Sequence, residues 1–241
     1  VFGIIGGTGL GDLASLQSVE SELVYTPYGS AFVERGLFGD QRVAFMPRHG
    51  QPAVHPPHRI NYRANIQALK QIGVTRVLAV TAVGSVAPDL EVGDFVVPDQ
   101  IIDYTSGREQ TFFDNQISHI DFTYPFDKGL GQQIIDSAKA ISGVNCVPFG
   151  TYGCTNGPRL ESAAEIQRLQ FDGCTIVGMT AMPEASLARE AALVYAGLSV
   201  VVNKGAGLAG ELNLEEISAS LTTSMAKVVA VLRGVVDAHA L

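Results

Sequence analysis

The chain has no tryptophan and only three cysteines, Cys146, Cys154 and Cys174, in 241 residues. No two of these form a Cys-x-x-Cys pair, and so odd and sparse a count argues against a disulfide framework. It points to a reducing compartment, and a cytoplasmic location is expected. Positive charge is short, with 16 Lys and Arg against 24 Asp and Glu for a formal net charge of −8. A nucleic-acid partner is therefore disfavoured, because a phosphate backbone calls for a basic surface. One small anion is still compatible, since it needs only local donors. No apolar run reaches the roughly 18–20 residues of a membrane span, so no membrane partner is expected. No signal-peptide pattern, internal repeat or low-complexity tract is evident. Hydrophobic residues make up 46% and charged residues 17%, which is ample material for a core. The length suits one large α/β domain or two small ones.

Several short apolar runs end in small or polar residues. Phe2-Gly3-Ile4-Ile5 runs into Gly6-Gly7-Thr8-Gly9, where glycines let backbone N–H groups approach an anion and Thr8 adds a hydroxyl. The spacing fits neither the dinucleotide fingerprint, since position 12 is Asp12, nor a P-loop. Val43–Met46 is followed by Pro47-Arg48-His49-Gly50, which offers Arg48 as a planar phosphate fork or as an ordinary surface residue. His55 and His58 lack a third ligand at a telling spacing and read as a rigid loop entering a helix from about His58 to Gly73. Val77–Ser85 is a buried strand that presents Thr81 and the backbone of Ala82, and Asp94–Pro98 is a further strand. A helix followed by such a strand is the signature of a parallel sheet.

The stretch 103–122, which contains His119, has no period and reads as a long functional or interface loop. A helix over about 127–141 and a strand around 147–152 follow. Pro158 then reads as a helix start, with Glu161 in the first turn and Gly173 as the stop. There Glu161 either complements the helix dipole or accepts from a protonated ring nitrogen of a ligand. Ile176–Thr180 is the next strand, in which Met179 is core or packs a sugar. A helix from Met182 to about Ala192 leads to the strand Val194–Val202, and a final helix spans about 214–238. Asn203, at the end of that last strand, carries an amide donor and acceptor together; it either caps a turn or reads a ring nitrogen beside a carbonyl. Thr8, Arg48, His49, Thr81 and Thr180 all stand at or near such strand ends, where open α/β sheets bind ligands. If the ends converge, they form one anion-sized cluster beside Glu161 and Asn203.

The ordered set GGTG at 6–9, RHG at 48–50, NYRAN at 61–65, TAVGS at 81–85, GPRLE at 157–161 and GMTAMPE at 178–184 resembles the family of trimeric purine nucleoside phosphorylases and methylthioadenosine phosphorylases. The likeness runs in order from residue 4 to about residue 225. It implies a single α/β domain over 1–241 with a central mixed, largely parallel twisted sheet flanked by helices, the nucleoside phosphorylase fold. It also implies phosphorolysis of a nucleoside, with inorganic phosphate as co-substrate and no metal or organic cofactor. The resemblance puts Thr8, Arg48, His49, Thr81, Ala82 and Thr180 on phosphate-binding positions and Met179 against the ribose. It puts Leu160, Glu161 and Asn203 at the base, with Asn203 and Glu161 as the catalytic pair. His119 falls where a neighbouring subunit completes the site, so a homotrimer is implied, with 103–122 as interface.

Two departures from the family pattern select a substrate. Adenine-specific members carry Asp and Ser where this chain has Asn203 and Glu161, so the expected base is a 6-oxopurine. Inosine-cleaving members place a His before a Glu-Glu pair near the last helix; here Leu214 precedes Glu215 and Glu216. Leu214 would accept a methylthio group and leave a 5′-hydroxyl unpaired. The expected substrate is a 5′-methylthio-6-oxopurine nucleoside. A general inosine and guanosine phosphorylase, a methylthioadenosine phosphorylase and a non-catalytic nucleoside-binding protein are the alternatives.

Overall fold

Apolar runs bounded by glycines build the middle of the fold. A computed structural model describes residues 1–10, 13 and 15–239. The first half holds β1 (Phe2–Gly6), β2 (Leu16–Thr26), β3 (Gly29–Phe38), β4 (Gln41–Pro47), α1 (Tyr62–Gln71), β5 (Arg76–Ser85), β6 (Phe95–Val96) and β7 (Gln100–Asp103). The second half holds α2 (Lys128–Lys139), β8 (Cys146–Val147), β9 (Thr151–Cys154), α3 (Ala163–Phe171), β10 (Ile176–Gly178), α4 (Ala181–Glu190), β11 (Val194–Lys204) and α5 (Leu214–Ala238).

Among the described residues the strands form one mixed sheet of 11 strands with the path β2-β3-β4-β1-β5-β10-β9-β7, and β11 lies on the other edge of β5. The pairs β1–β4, β1–β5, β5–β11, β9–β10, β7–β9 and β6–β8 are parallel. The pairs β2–β3, β3–β4, β5–β10 and β6–β11 are antiparallel.

Side chains alternate between the two faces of this sheet. Ile5, Val77 and Ala79 join Ile66 and Leu69 of α1 and Leu187 of α4 in one core. Ile4, Leu78 and Val80 join Leu130 and Ile134 of α2 and Val228 and Leu232 of α5 in the other. Strands covered on both faces need unbroken apolar runs, which is why β1, β5 and β11 stand out in the sequence.

Several sequence-based expectations are corrected. The helix expected from His58 is a 3-10 turn at Pro57–Arg59 followed by α1, because the Asn61 side chain accepts from Ala64 N and sets the true N-cap. The strand expected at 147–152 is split into β8 and β9, which pair with different neighbours. Pro158 does not start a helix. α3 begins at Ala163 under a reciprocal capping box between Ser162 and Glu165, so Glu161 lies ahead of the helix. α5 has the length and mean composition of a membrane span, but Lys227 and Arg233 break its apolar runs, and no run of 18 apolar residues occurs. Here its Val228, Val231, Leu232 and Val235 are buried in the core. The β2–β3 hairpin has no counterpart in the sequence reading.

Candidate active site

The central feature is a gap in the sheet. β1 accompanies β5 as far as Ala79, and β10 takes over the same edge at Gly84. Between them, β5 from Val80 to Val83 has no strand on that side among the described residues. Thr81 to Gly84 along this opening line a cavity of about 200 Å3. A carbonyl in such a gap loses its ladder partner and must find another donor. Val80 O accepts from Arg48 Nη1 at 2.8 Å.

Arg48 is held in place by more than that bond. It follows β4, and its backbone N–H donates to Gly6 O at 2.9 Å. Its Nε and Nη2 donate to the two carboxylate oxygens of Glu184 at 2.6 and 2.9 Å, and Tyr195 OH donates to Glu184 Oε1 at 2.9 Å. The side chains of Arg48 and Glu184 are 1% and 0% exposed, so the pair is fully buried. The carboxylate raises the guanidinium pKa further above its ordinary value even though burial opposes this, and Arg48 stays charged. Gly7 makes the approach possible, because a Cβ there would sit 2.7 Å from Arg48 Nη1 and 2.9 Å from Val80 O.

Other donors surround the same gap. His49 Nδ1 lies 2.8 Å from His55 O, and that bond fixes the ring. Burial, with the Arg48 charge beside it, lowers the His49 pKa despite this bond, favouring the neutral imidazole. Thr81 Oγ1 lies 2.9 Å from Ser199 Oγ across β5 and β11. Thr180 is the N-cap residue of α4, yet its side chain makes no capping bond. The residue lies buried at the cavity wall, and because Met182 and Pro183 are non-helical the regular turns of α4 begin only after them. Thr8 and Ala82 complete this side.

The opposite wall is suited to a heterocycle. β11 carries a bulge between Val201 and Asn203 where it passes β5, and a bulge re-aims the side chain that follows it. Asn203 faces Gly84 in register and donates one Nδ2 proton to Lys204 O at 2.7 Å. Its second proton and its Oδ1 are left for a ligand. Lys204 turns away, with Nζ bound to Pro88 O, Leu90 O and Glu91 Oε1. Glu161 Oε1 accepts from Thr155 Oγ1 at 2.7 Å, which orients the carboxylate. Gly157 gives Met179 its room, since a Cβ there would lie 2.4 Å from the sulfur. Leu214, Ile217 and Leu221 form one apolar row of α5 along the cavity.

The cavity thus brings together Thr8, Arg48, His49, Thr81, Ala82, Leu160, Glu161, Met179, Thr180, Asn203 and Leu214. His119 is not among its lining residues; it is exposed on the 103–122 loop. Thr81 lies inside β5 rather than at its end, because β11 continues the ladder to Ser85. Glu184, Tyr195, Ile217 and Leu221 were not expected at the site. Glu184 had one sequence signal, a carboxylate within an otherwise small and apolar helix start, Ala181-Met182-Pro183.

The sheet is split at its central strand, with a buried guanidinium on one side of the gap and an amide and a carboxylate on the other, groups whose chemistry suits an anion and a polar heterocycle respectively. A family model described as Phosphorylase superfamily matches residues 1–237. A probable S-methyl-5′-thioinosine phosphorylase from Pseudomonas syringae pv. tomato is 48% identical, covering 99% of this chain and 99% of its own length. The 6-oxopurine nucleoside phosphorylase of Pyrococcus furiosus is 44% identical over 86% of this chain and 81% of its own. The solved methylthioadenosine phosphorylase of Schistosoma mansoni, in complex with adenine, superposes with a TM-score of 0.93 at 32% identity, covering 99% of this chain and 91% of its own. The chain belongs to the phosphorylase superfamily, as a pentosyltransferase of the nucleoside phosphorylase type.

Proposed function

We propose that the chain catalyses phosphorolysis of S-methyl-5′-thioinosine to hypoxanthine and S-methyl-5-thio-ribose 1-phosphate, a purine salvage reaction. One observation carries the substrate choice: Asn203 and Glu161 share a cavity with the apolar row Leu214, Ile217 and Leu221. The amide donates to O6 or N7 of a 6-oxopurine, and Glu161 accepts from its protonated N1. The apolar row suits a methylthio group and offers a 5′-hydroxyl no partner.

In the proposed reaction the C1′–N9 bond breaks first, and its electron pair stays with the base. The sugar becomes oxocarbenium-like. A phosphate oxygen then bonds to C1′, and the proton that phosphate loses is taken up by the base. Asn203 stabilises the negative charge developing on the purine, while Glu161 holds the ring. Arg48, His49, Thr8, Thr81, Thr180 and the Ala82 backbone hold phosphate against the sugar, and Met179 packs the ribose. Catalysis is positioning plus electrostatics. Inorganic phosphate is the co-substrate, and no metal or organic cofactor takes part. His119 reaches the site of a neighbouring copy in a cytoplasmic homotrimer.

A second reading, a general 6-oxopurine nucleoside phosphorylase, is favoured by the likeness to the Pyrococcus furiosus enzyme. Hypoxanthine release from S-methyl-5′-thioinosine tests the proposal. Release is expected only when phosphate is added; phosphate-independent release, or none, contradicts it.

A further inference from the structure

Arg108 lies in the 103–122 loop and is not among the residues that line the cavity. Its Nη1 donates to Met182 O at 2.5 Å, to Met179 O at 2.9 Å and to Tyr62 OH at 3.3 Å. Its Nη2 donates to Asn156 O at 2.9 Å and Thr155 O at 3.4 Å. The guanidinium lies over the Tyr62 ring, 5.4 Å from its centroid. No carboxylate forms an ion pair with it among the described residues. Four backbone carbonyls and a phenol satisfy this charge instead, while its Nε is buried with no partner.

The segments it joins are the walls of the nucleoside side of the cavity. Thr155 carries the hydroxyl that orients Glu161. Met179 is itself a wall residue, and Tyr62 OH donates to Pro57 O at 2.9 Å, with Pro57 lining the cavity. The loops after β9 and β10 are separate in sequence; their strand pairing ends at Gly178 and Cys154, and Thr155 N still donates to Gly178 O at 2.8 Å and Met182 N to Cys154 Sγ at 3.3 Å. Further along, the planar fork of Arg108 ties the carbonyls of Thr155 and Asn156 to those of Met179 and Met182. A lysine could not, because its point charge cannot aim parallel N–H groups at two segments.

We propose that Arg108 is a positioning residue that sets the spacing between the Glu161 wall and the Met179 wall, and so the affinity for the nucleoside far more than that for phosphate. The proposal rests on the nucleoside-phosphorylase reading of the site. It predicts a split between two Michaelis constants, which general loosening of the fold would not produce.

The test is Arg108→Lys, assayed with a nucleoside that the unaltered enzyme cleaves, varying nucleoside and phosphate separately. The nucleoside KM should rise about tenfold or more while the phosphate KM stays within about threefold. Millimolar guanidinium chloride should lower the raised nucleoside KM of Arg108→Ala. Should Arg108→Lys fail to fold, Tyr62→Phe removes only the hydroxyl that links Arg108 to Pro57, and the same split is expected at smaller size. An unchanged nucleoside KM, or equal rises in both constants, overturns the role of Arg108. Failure of the unaltered enzyme to cleave any nucleoside would instead overturn the function it rests on.

Discussion

Removing the Glu184 carboxylate should damage the enzyme more than any single exposed-charge substitution. Both members of the Arg48–Glu184 pair are buried, and the contact is bidentate at 2.6 and 2.9 Å. In Glu184→Ala the guanidinium remains in the core with Nε and Nη2 unpaired, and Tyr195 OH loses its acceptor. Stranding one charge of a buried pair costs about 3–5 kcal/mol. For a chain of this size, each kcal/mol shifts the midpoint by about 2–4 °C, so Tm should fall by about 6–20 °C. Tyr195→Phe removes one hydrogen bond and leaves the ion pair, so about 1 kcal/mol and about 2–4 °C are expected. The double variant Arg48→Met/Glu184→Met removes both charges and should melt above Glu184→Ala, because apolar replacement of a whole buried pair is often close to neutral. It should nonetheless have lost phosphate-dependent turnover. Thermal unfolding by circular dichroism, with phosphate kinetics alongside, separates the two effects. A Glu184→Ala protein melting within about 2 °C of the parent would refute the reasoning.

Two further outcomes follow from the same geometry. Asn203→Asp replaces an amide donor with an acceptor and should shift preference from 6-oxopurine to 6-aminopurine nucleosides; an unchanged ratio of kcat/KM values would contradict the base-reading role. His49 gives a pH dependence of stability. Its folded pKa is lowered by burial, whereas the unfolded imidazole titrates near about 6.5, so the unfolded state binds more protons as pH falls through that value. Stability should therefore drop on acidification from about pH 7.5 to about 5.5, and drop less in His49→Gln. Urea unfolding at both pH values reads this, and an equal or steeper decline in the variant would contradict it.

The buried parallel strands were legible because each is covered on both faces and appears as an unbroken apolar run, as in Val77–Ser85. The β2–β3 hairpin was not, because most side chains of β2 are exposed and the strand contains no apolar run to notice. The start of α3 was misread from Pro158 even though Ser162 and Glu165 have the spacing of a capping box. Most site residues could be named because they follow strand ends or lie within motifs. The Arg48–Glu184–Tyr195 network could not, since 136 residues separate Arg48 from Glu184 and only the fold joins them. Arg108 was hidden for the same reason: its partners are backbone carbonyls, which leave no trace in side-chain patterns.

The most direct measurement is a phosphate-dependent cleavage assay comparing S-methyl-5′-thioinosine, inosine and methylthioadenosine by kcat/KM. The account predicts that S-methyl-5′-thioinosine leads inosine by about 10–100-fold, the range an apolar pocket can enforce against a hydroxyl, with methylthioadenosine lower still. Equal or better use of inosine would remove the role of the Leu214 row. Preference for methylthioadenosine would contradict the central claim, that Asn203 and Glu161 select a 6-oxopurine.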